Sequence, residues 1–526
     1  MDEALALREI ISRILSLPAG NSGIIAVKID TCRKYRLSAV PKNSAILAAA
    51  TPGEREILRR ILLVKPTRTL SGVAPVAVMT SPHPCPHGKC LPCPGGPAHP
   101  FGSPQSYTGE EPAAKRAREH NYDPFFQVHA RLGQFETLGH RVEKVELIVM
   151  GGTMTARPVK YQNEFVARCI EAMNAYPGEI PAAAVPSVAS VEAANESADV
   201  RCVAITFETR PDWCKKEHIN RMLDLGVTKV ELGVQHVDDT ILAFNRRGCT
   251  VADTAEANRL LRDAGLKVGF HVMPNLPHST IAADKVMFET IFSDPRFKPD
   301  FLKIYPTLVT PGSEIEELWE LRRYAPYDED QLIDLIAYAK TLIPEYTRLS
   351  RVQRDIPAKL IVAGSRHSNF RQLAQCRLAA QGRHCRCIRC REIGRLPSDV
   401  EPEIRVTRYE CCDGTEHFVS VVSGDSLIGF ARLRFPSSEF RPELQGAALV
   451  RELHVYGSLV PIGLEAAEEE EWQHRNFGRL LLSRAEEIAK AAGFARVAIM
   501  SGIGVRPYYR RQGYERRGPY MVKEMT

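Results

Sequence analysis

Two short cysteine groups carry the most specific chemistry in this 526-residue sequence. Cys85, Cys90 and Cys93 stand in Cys-Pro-His-Gly-Lys-Cys-Leu-Pro-Cys, a C-x4-C-x2-C spacing followed by Pro94-Gly95-Gly96. Three thiolates in one tight loop suit a 4Fe-4S cluster. One iron is then left open to chelate a small molecule, for example through the amino and carboxylate groups of S-adenosylmethionine (SAM). The competing reading is a structural zinc knuckle with His87 as fourth ligand. Position favours the cluster: the loop precedes a strand and helix series whose first clear strand ends in Met150-Gly151-Gly152-Thr153. Glycines there let the backbone approach a ligand closely. The second group, Cys385-Arg-Cys387-Ile-Arg-Cys390, packs three thiolates into six residues, with Cys376, His367 and His384 as candidate fourth ligands. No open-site chemistry accompanies it, so a closed tetrahedral zinc site is expected, stapling a segment with little apolar content.

The elements that must position these groups are legible in outline. Strand-like runs at 145–150, 202–207, 229–234, 267–272 and 301–305 alternate with helix-like segments near 164–175, 217–225, 254–264, 282–292 and 331–342. Such alternation predicts an α/β fold of βα units on a parallel sheet, open or closed into a partial barrel. The Ala/Pro/Ser/Val-rich stretch 181–194 reads as a low-complexity surface insertion. From about 406 a second module follows, with strands at 418–422, 427–433 and 449–455, a helix at 478–492 and a strand at 495–500. The expected divisions are a basic N-terminal segment (1–75), the βα domain (76–345), a basic Cys-rich linker (346–396) and the C-terminal module (397–526).

Composition bounds the rest. With 44% hydrophobic and 25% charged residues the chain is too apolar for disorder and too long for one ordinary domain. Its longest apolar stretches, such as 45–50 and 147–150, fall far short of a membrane span. The first residues lack the apolar core of a signal peptide, and fourteen cysteines, six of them in two clusters, fit a reducing compartment. A soluble cytoplasmic protein with no membrane partner is expected. The net charge of +6 is unevenly placed: residues 1–80 carry +6, residues 347–396 carry +10, and the remaining 396 residues carry −10. Two basic blocks on an acidic body suggest a polyanion, nucleic acid first; the competing reading is a pair of solvated faces.

Several long strings resemble the catalytic subunit of Elongator (Elongator protein three) in its archaeal or bacterial form. In the first half they are Cys93-Pro-Gly-Gly, Gln105-Ser-Tyr-Thr-Gly, Gly139-His-Arg-Val-Glu-Lys-Val-Glu, Glu208-Thr-Arg-Pro-Asp and Glu231-Leu-Gly-Val-Gln. Further on come Arg351-Val-Gln-Arg-Asp-Ile-Pro, Arg451-Glu-Leu-His-Val-Tyr-Gly and Gly518-Pro-Tyr-Met-Val-Lys. The resemblance implies a radical SAM partial (β/α) barrel fused to a GNAT-type acetyltransferase domain. It puts Cys85, Cys90 and Cys93 on the cluster and makes Gly151, Gly152, Glu208, Gln235 and Arg246 candidate SAM contacts. The cysteine spacing departs from the longer first gap of eukaryotic members, which concerns the shape of the loop.

In the C-terminal module the resemblance implies acetyl-CoA contacts at Glu452, Leu453, His454, Val455, Gln473, Phe477, Gly478, Arg479, Tyr508 and Tyr509. Asn476 stands where the pyrophosphate loop usually has its first glycine, and asparagine tolerates positive φ better than most residues. Lys144, in the other half, matches a family position that also contacts acetyl-CoA, so one acetyl-CoA would be shared by both halves. The implied activity is formation of 5-carboxymethyluridine at wobble uridine 34 of tRNA. A 5′-deoxyadenosyl radical takes hydrogen from the acetyl methyl group, the carbon radical adds to C5, and the thioester is hydrolysed. Tyr508, Tyr509 and His474 are candidates for the hydrolytic step. The implied partners are a tRNA anticodon stem-loop and acetyl-CoA; a homodimer and accessory subunits stay open. The alternatives are a protein lysine acetyltransferase with a structural iron–sulfur cluster and a non-catalytic tRNA-binding protein.

Overall fold

Seven parallel strands follow one another in sequence order around a curled sheet: β1 (Ala74–Met79), β2 (Lys144–Met150), β3 (Arg201–Thr209), β4 (Lys229–Gln235), β5 (Lys267–Val272), β6 (Phe301–Ile304) and β7 (Arg348–Val352). The structure, a computed structural model, describes residues 2–17, 23–63, 69, 72–97, 102–178, 184–393, 400–456 and 476–525. Helices Pro124–Thr137, Val159–Ala175, Val251–Asp263, Ile281–Ser293 and Glu329–Leu342 cover the convex face. Asp123, Thr250, Thr280 and Asp328 start four of them by accepting a first-turn N–H. Val145, Leu147, Val149, Val230, Leu232, Phe270 and Leu302 fill the layer between sheet and helices.

The concave face breaks the usual rule that parallel strands are apolar on both sides. Lys144 and Glu146 on β2, Lys229 and Glu231 on β4, Lys267 and His271 on β5, and Lys303 on β6 all line the lumen. Four helices, Asp2–Leu15, Ile24–Lys34, Asn43–Ala49 and Pro52–Leu62, precede the sheet and share their own core of Ile10, Ile11, Ile14, Ile46 and Leu58. Among the described residues no helix is long and apolar enough to cross a membrane.

The second sheet is mixed. Its strands are β8 (Glu403–Cys411), β9 (Gly414–Ser423), β10 (Ser426–Phe435), β11 (Ala447–Val455), β12 (Arg496–Ile499), β13 (Glu515–Arg517) and β14 (Tyr520–Glu524), in the order β13-β14-β12-β11-β10-β9-β8. Helix Phe477–Ala491 packs across β9, β10 and β11. β12 pairs in parallel only with Ala447–Val450, so β11 splays away and leaves one edge of residues 452–455 unpaired.

Five strands were not expected from the sequence, the short β13 and β14 at the end of the chain and three others, each for a physical reason. β1 holds Pro75 and lies at the sheet edge, where a missing N–H is tolerated. β8 is also an edge strand and mostly exposed, so charged residues replace an apolar face. β7 falls in the basic segment expected to be a linker, yet it completes the parallel sheet. The stretch 181–194 also differs from expectation. Its described part enters helix Val188–Asn195, capped by Ser187, and this helix buries Val191, Glu192 and Asn195. Buried Glu192 pairs with Arg506 and Arg516 of the second module, each at 3.0 Å, so the helix is an inter-module anchor rather than a surface insertion.

A dry ionic cluster joins the two sheets. Arg262, Asp263 and Asp300 from the barrel meet Glu416, Arg432, Arg434, Arg451 and Glu452 from the second sheet, four cations against four anions. Arg451 lies 2.8 Å from both Asp300 and Glu416, Arg434 lies 2.6 Å from Asp263, and Arg262 lies 3.0 Å from Glu416. Burial pushes the Asp300 carboxyl upward, but Arg262, Arg451 and Arg432 outweigh it and hold it well below the usual carboxylate range. Nearby, a Cβ at Gly502 would collide with the Val203 backbone, so this glycine permits the loop after β12 to sit directly on β3.

Removing one partner of such a cluster leaves a buried charge uncompensated. Arg451→Met is therefore expected to destabilise the protein by about 3–5 kcal/mol and to open the joint to limited proteolysis. Calorimetric unfolding of the variant beside the parent checks this; an unchanged melting profile would contradict the role given to the cluster.

Candidate active site

β1 ends at the C-terminal rim of the barrel and delivers the first cysteine loop there. Cys85 Sγ lies 3.1 Å from His87 Nδ1, and Cys90 Sγ lies 3.0 Å from His87 Nε2, so the imidazole stands between two thiols. Cys93 receives a hydrogen bond from Gln105 Nε2 at 3.1 Å and donates to the Gly95 carbonyl at 3.2 Å. A Cβ at Gly95 would strike the Tyr107 carbonyl, which accounts for a glycine in this turn. Two buried guanidinium groups back the loop. Arg210 forks onto Asp212 with two bonds of 2.9 Å and reaches His87 Nδ1 at 2.7 Å. Arg247 places Nη1 3.9 Å from Cys90 Sγ, and its buried Nε has no partner. Burial, with Arg210 and Arg247, draws the His87 pKa down to about 4.

A single zinc ion needs sulfurs about 3.8 Å apart. Among the described residues the three-donor groups closing to within 4.8 Å are Cys385/Cys387/Cys390 and Glu208/Glu231/His271, not the first cysteine loop. The wider set of Cys85, Cys90 and Cys93, faced by cationic donors and opening on a cavity, fits a polynuclear cluster better than one ion. The Glu208/Glu231/His271 group already encloses the Lys303 ammonium, which ion-pairs with Glu231 and lies 3.5 Å from Glu208. Tyr107 Oη donates to Glu208 at 2.8 Å, and Lys229 reaches Glu231 at 2.9 Å. Burial works against the Lys303 ammonium, but Glu231, Tyr305 and Glu208 outweigh it and keep it charged.

One cavity of about 1340 Å³ runs from this loop through the lumen to the second module. Cys85, Cys90, Cys93, Gly152, Glu208 and Gln235 line one end. At the other, Lys144, Arg201 and Lys267, the first residues of their strands, face Glu452, Leu453, His454 and Val455 of the splayed β11. Asn476, Gly478, Arg479, Tyr508 and Tyr509 continue this wall. Asn476 adopts φ +60°, the left-handed backbone expected of a glycine, at the start of helix Phe477–Ala491. Among the described residues no side chain caps this helix, and the positive end of a helix dipole suits an anion such as a pyrophosphate.

Not every sequence candidate reaches the cavity. Gly151 turns against Thr80 and Phe477 packs into the apolar core beneath the sheet, while Gln473, His474 and Arg395 lie outside the described residues. Arg246 points outward to Glu314 at 2.6 Å, and its neighbour Arg247 turns inward to Cys90 instead. Arg210, Arg247, Gln105, Glu231, Lys267 and Lys303 were missed. For Glu231, Lys267 and Lys303 the signal was available, since charged residues on otherwise apolar strands mark a polar lumen; Arg210, Arg247 and Gln105 lie outside the strands and carry no such period.

The second cysteine group lies away from the cavity. Cys385, Cys387 and Cys390 close to within 4.8 Å of one another, and Cys385 and Cys387 are buried. Hydrogen bonds from Cys385 and Cys390 hold the Cys387 thiol well below its usual range. Of the fourth-ligand candidates, Cys376 is exposed and His367 is engaged by Glu329 at 3.0 Å. Of the arginines nearby, Arg383 and Arg386 are exposed, Arg389 reaches the cavity rim, and Arg391 is buried against Asp425 and Glu345.

Comparison with known proteins assigns these parts. The ELP3 N-terminal domain model matches residues 3–70, the radical SAM superfamily model 84–289, the radical SAM C-terminal domain model 299–380 and the acetyltransferase (GNAT) family model 389–514. The tRNA uridine(34) acetyltransferase of Methanocaldococcus jannaschii is 48% identical, over 99% of this chain and 99% of that protein. The human Elongator complex protein 3 is 43% identical, over 94% of this chain and 92% of its own length. Among solved structures, the Methanocaldococcus infernus Elp3 lacking residues 1–46 superposes with a TM-score of 0.75 at 43% identity, covering 86% of this chain and 99% of that one. A radical SAM barrel and a GNAT sheet thus open on one cavity, and the chain belongs to the Elp3 family.

Proposed function

We propose that the protein forms 5-carboxymethyluridine at wobble uridine 34 of tRNA, using SAM and acetyl-CoA. The observation that carries this reading is the single cavity shared by the cysteine loop and the splayed β11 edge. An acyltransferase working alone has no use for a path into a radical SAM barrel. A cluster with bound SAM supplies one-electron chemistry that can activate an unreactive methyl carbon. The chain supplies the rest. Cys85, Cys90 and Cys93 hold the cluster, with Gln105 and Arg247 beside them. Gly152, Glu208 and Gln235 are the SAM contacts, while the β11 edge, the helix start at Asn476 and Lys144 hold acetyl-CoA. The names of the archaeal relatives support tRNA uridine 34 as the substrate. Exposed Arg383 and Arg386 are available for phosphate contacts.

Among the described residues no carboxylate on β11 is placed to serve the lysine acetyltransferase alternative as a base. Glu452, the acidic residue on β11, is fixed 2.8 Å from Arg432. Burial raises its pKa, but Arg432 and Lys267 outweigh this and hold it below the usual range, so it is poor at taking a proton from an amine. We further assign a structural zinc to Cys385, Cys387 and Cys390, whose mutual approach suits one tetrahedral ion.

Two measurements test these readings. Anaerobically reconstituted protein is supplied with SAM, acetyl-CoA, reductant and tRNA carrying an unmodified uridine 34. Expected products are 5′-deoxyadenosine and a C5-carboxymethylated uridine, with both reduced at least about 100-fold in Cys90→Ser. Full modification by that variant, or acetyl-lysine formation without SAM consumption, refutes the proposal. Separately, elemental analysis of Cys387→Ser is expected to show loss of one zinc per chain with the iron content retained. Unchanged zinc would overturn that assignment.

A further inference from the structure

The acetyl-CoA end of the cavity contains polar groups that the fold does not use. Lys267, at the start of β5, lines the cavity, and among the described residues its ammonium has neither a hydrogen bond nor an ion-pair partner. His454, on the splayed part of β11, also lines the cavity, and its buried Nε2 has no hydrogen-bond partner. Its ring is held by aromatic neighbours, with centroids 4.4 Å from Tyr456 and 6.0 Å from Phe430. The two groups are electrostatic neighbours, and both sense Glu452. Burial draws the His454 pKa down to about 4, so the imidazole is neutral at pH 7 and its free Nε2 offers a lone pair to a water molecule. Burial also lowers the Lys267 pKa, partly offset by Glu452 and Glu146.

The remaining candidates for thioester cleavage are engaged elsewhere. Glu452 is fixed by Arg432. Tyr509 packs against Tyr514 in the apolar core of the second module. Tyr508 directs its hydroxyl toward Gly478 at the helix start, the end of the groove suited to pyrophosphate. By contrast, the free edge of residues 452–455 leads a pantetheine chain toward the barrel, where His454 and Lys267 converge.

We propose that His454 and Lys267 form the hydrolytic pair that releases CoA from the thioester. This rests on the function proposed above and supplies its unassigned step. Water adds through its oxygen to the thioester carbonyl carbon, and His454 takes one water proton. The Lys267 ammonium faces the negative charge that develops on the carbonyl oxygen. When the tetrahedral carbon collapses, the C–S bond breaks with its electron pair on sulfur, and His454 returns the proton there. The acid formed loses its own proton to solvent, and Lys267 pairs with the resulting carboxylate. No atom changes oxidation state in this hydrolysis, and no reactant beyond water is needed.

The test follows thiol release from acetyl-CoA by the full-length holoenzyme in the presence of tRNA. It compares the parent with His454→Gln, His454→Asn, Lys267→Met and Lys267→Arg. The two His454 variants and Lys267→Met are expected to lose at least about 30-fold in kcat, within the range seen when a proton-transfer or oxyanion group is removed. Acetyl-CoA affinity by calorimetry should change less than about threefold, and 5′-deoxyadenosine formation should persist as the check that the barrel is intact. Lys267→Arg should recover part of the rate, because it restores the charge. Thiol release at the parental rate in His454→Gln and His454→Asn, or in Lys267→Met, overturns the proposal. Loss of acetyl-CoA binding in these variants also overturns it, assigning them to binding. If the parent modifies uridine 34 while the variants release thiol normally, only the pair is wrong. If the parent neither releases thiol nor modifies uridine, the functional reading and the pair fall together.

Discussion

The buried ionic joint between the barrel and the GNAT sheet is the constraint on which the site depends. Four arginines and four carboxylates from two modules neutralise one another in the interior, and each of the four arginines except Arg434 pairs with Asp300, while Arg434 pairs with Asp263 and Glu416. Such a cluster contributes little net stability over well-packed apolar residues, because desolvation offsets most of the Coulomb gain. What it contributes is geometric. A greasy interface tolerates sliding by a few tenths of an ångström, whereas a misplaced carboxylate in a dry joint costs several kcal/mol. A reaction that draws on a cofactor in each module needs that fixed spacing. Glu452 belongs both to the joint and to the cavity wall, so docking and the acetyl-CoA edge are set by the same side chain.

The charged lumen follows from this arrangement. Parallel strands sandwiched between layers usually bury apolar residues on both faces. Here the inner face opens on a wide cavity, and lysines and glutamates alternate there in pairs: Lys229 with Glu231 and Glu146, Lys303 with Glu231 and Glu208. These pairs keep the walls rigid and locally neutral. They also keep the lumen hydrophilic enough to admit a polar substrate.

The sequence made the βα series and the GNAT strands legible because their apolar residues follow the periods of a strand and a helix. It hid β1, β7 and β8 because edge position or a basic composition removes that signal: Pro75, Arg348 and Arg351, and the exposed charges of β8. The cysteine spacing was readable, since metal ligands must be close in sequence or in space and these are both. Arg246 and Arg247 show the limit of spacing alone. Adjacent arginines differ in direction by a backbone turn, with φ +52° at Arg246, and only three-dimensional packing decides which one meets Cys90. The anchoring role of Glu192 was unreadable for the same reason, since its partners Arg506 and Arg516 lie more than 300 residues away in sequence.

Several buried polar groups along the cavity are left without a partner by the fold. In the joint, buried charges have partners within ordinary ion-pair distance. Along the cavity, by contrast, Gln235 Oε1, Asn245 Oδ1, Arg247 Nε and His454 Nε2 are buried without a partner, and the Lys144 and Lys267 ammonium groups have no ion pair among the described residues. A fold that satisfies a dozen charges in its interior has no difficulty satisfying these few, and each orphan carries a cost of about 1–3 kcal/mol. Other buried orphans lie elsewhere, Arg432 Nη2 in the joint and His236 among them, but those along the cavity stand where a ligand can complete them. Gln235 and Arg247 face the cysteine loop, whereas Lys144, Lys267 and His454 face the splayed strand. The unused donors and acceptors fall into two sets at the two ends of one passage, as two cofactors acting on a single carbon would require.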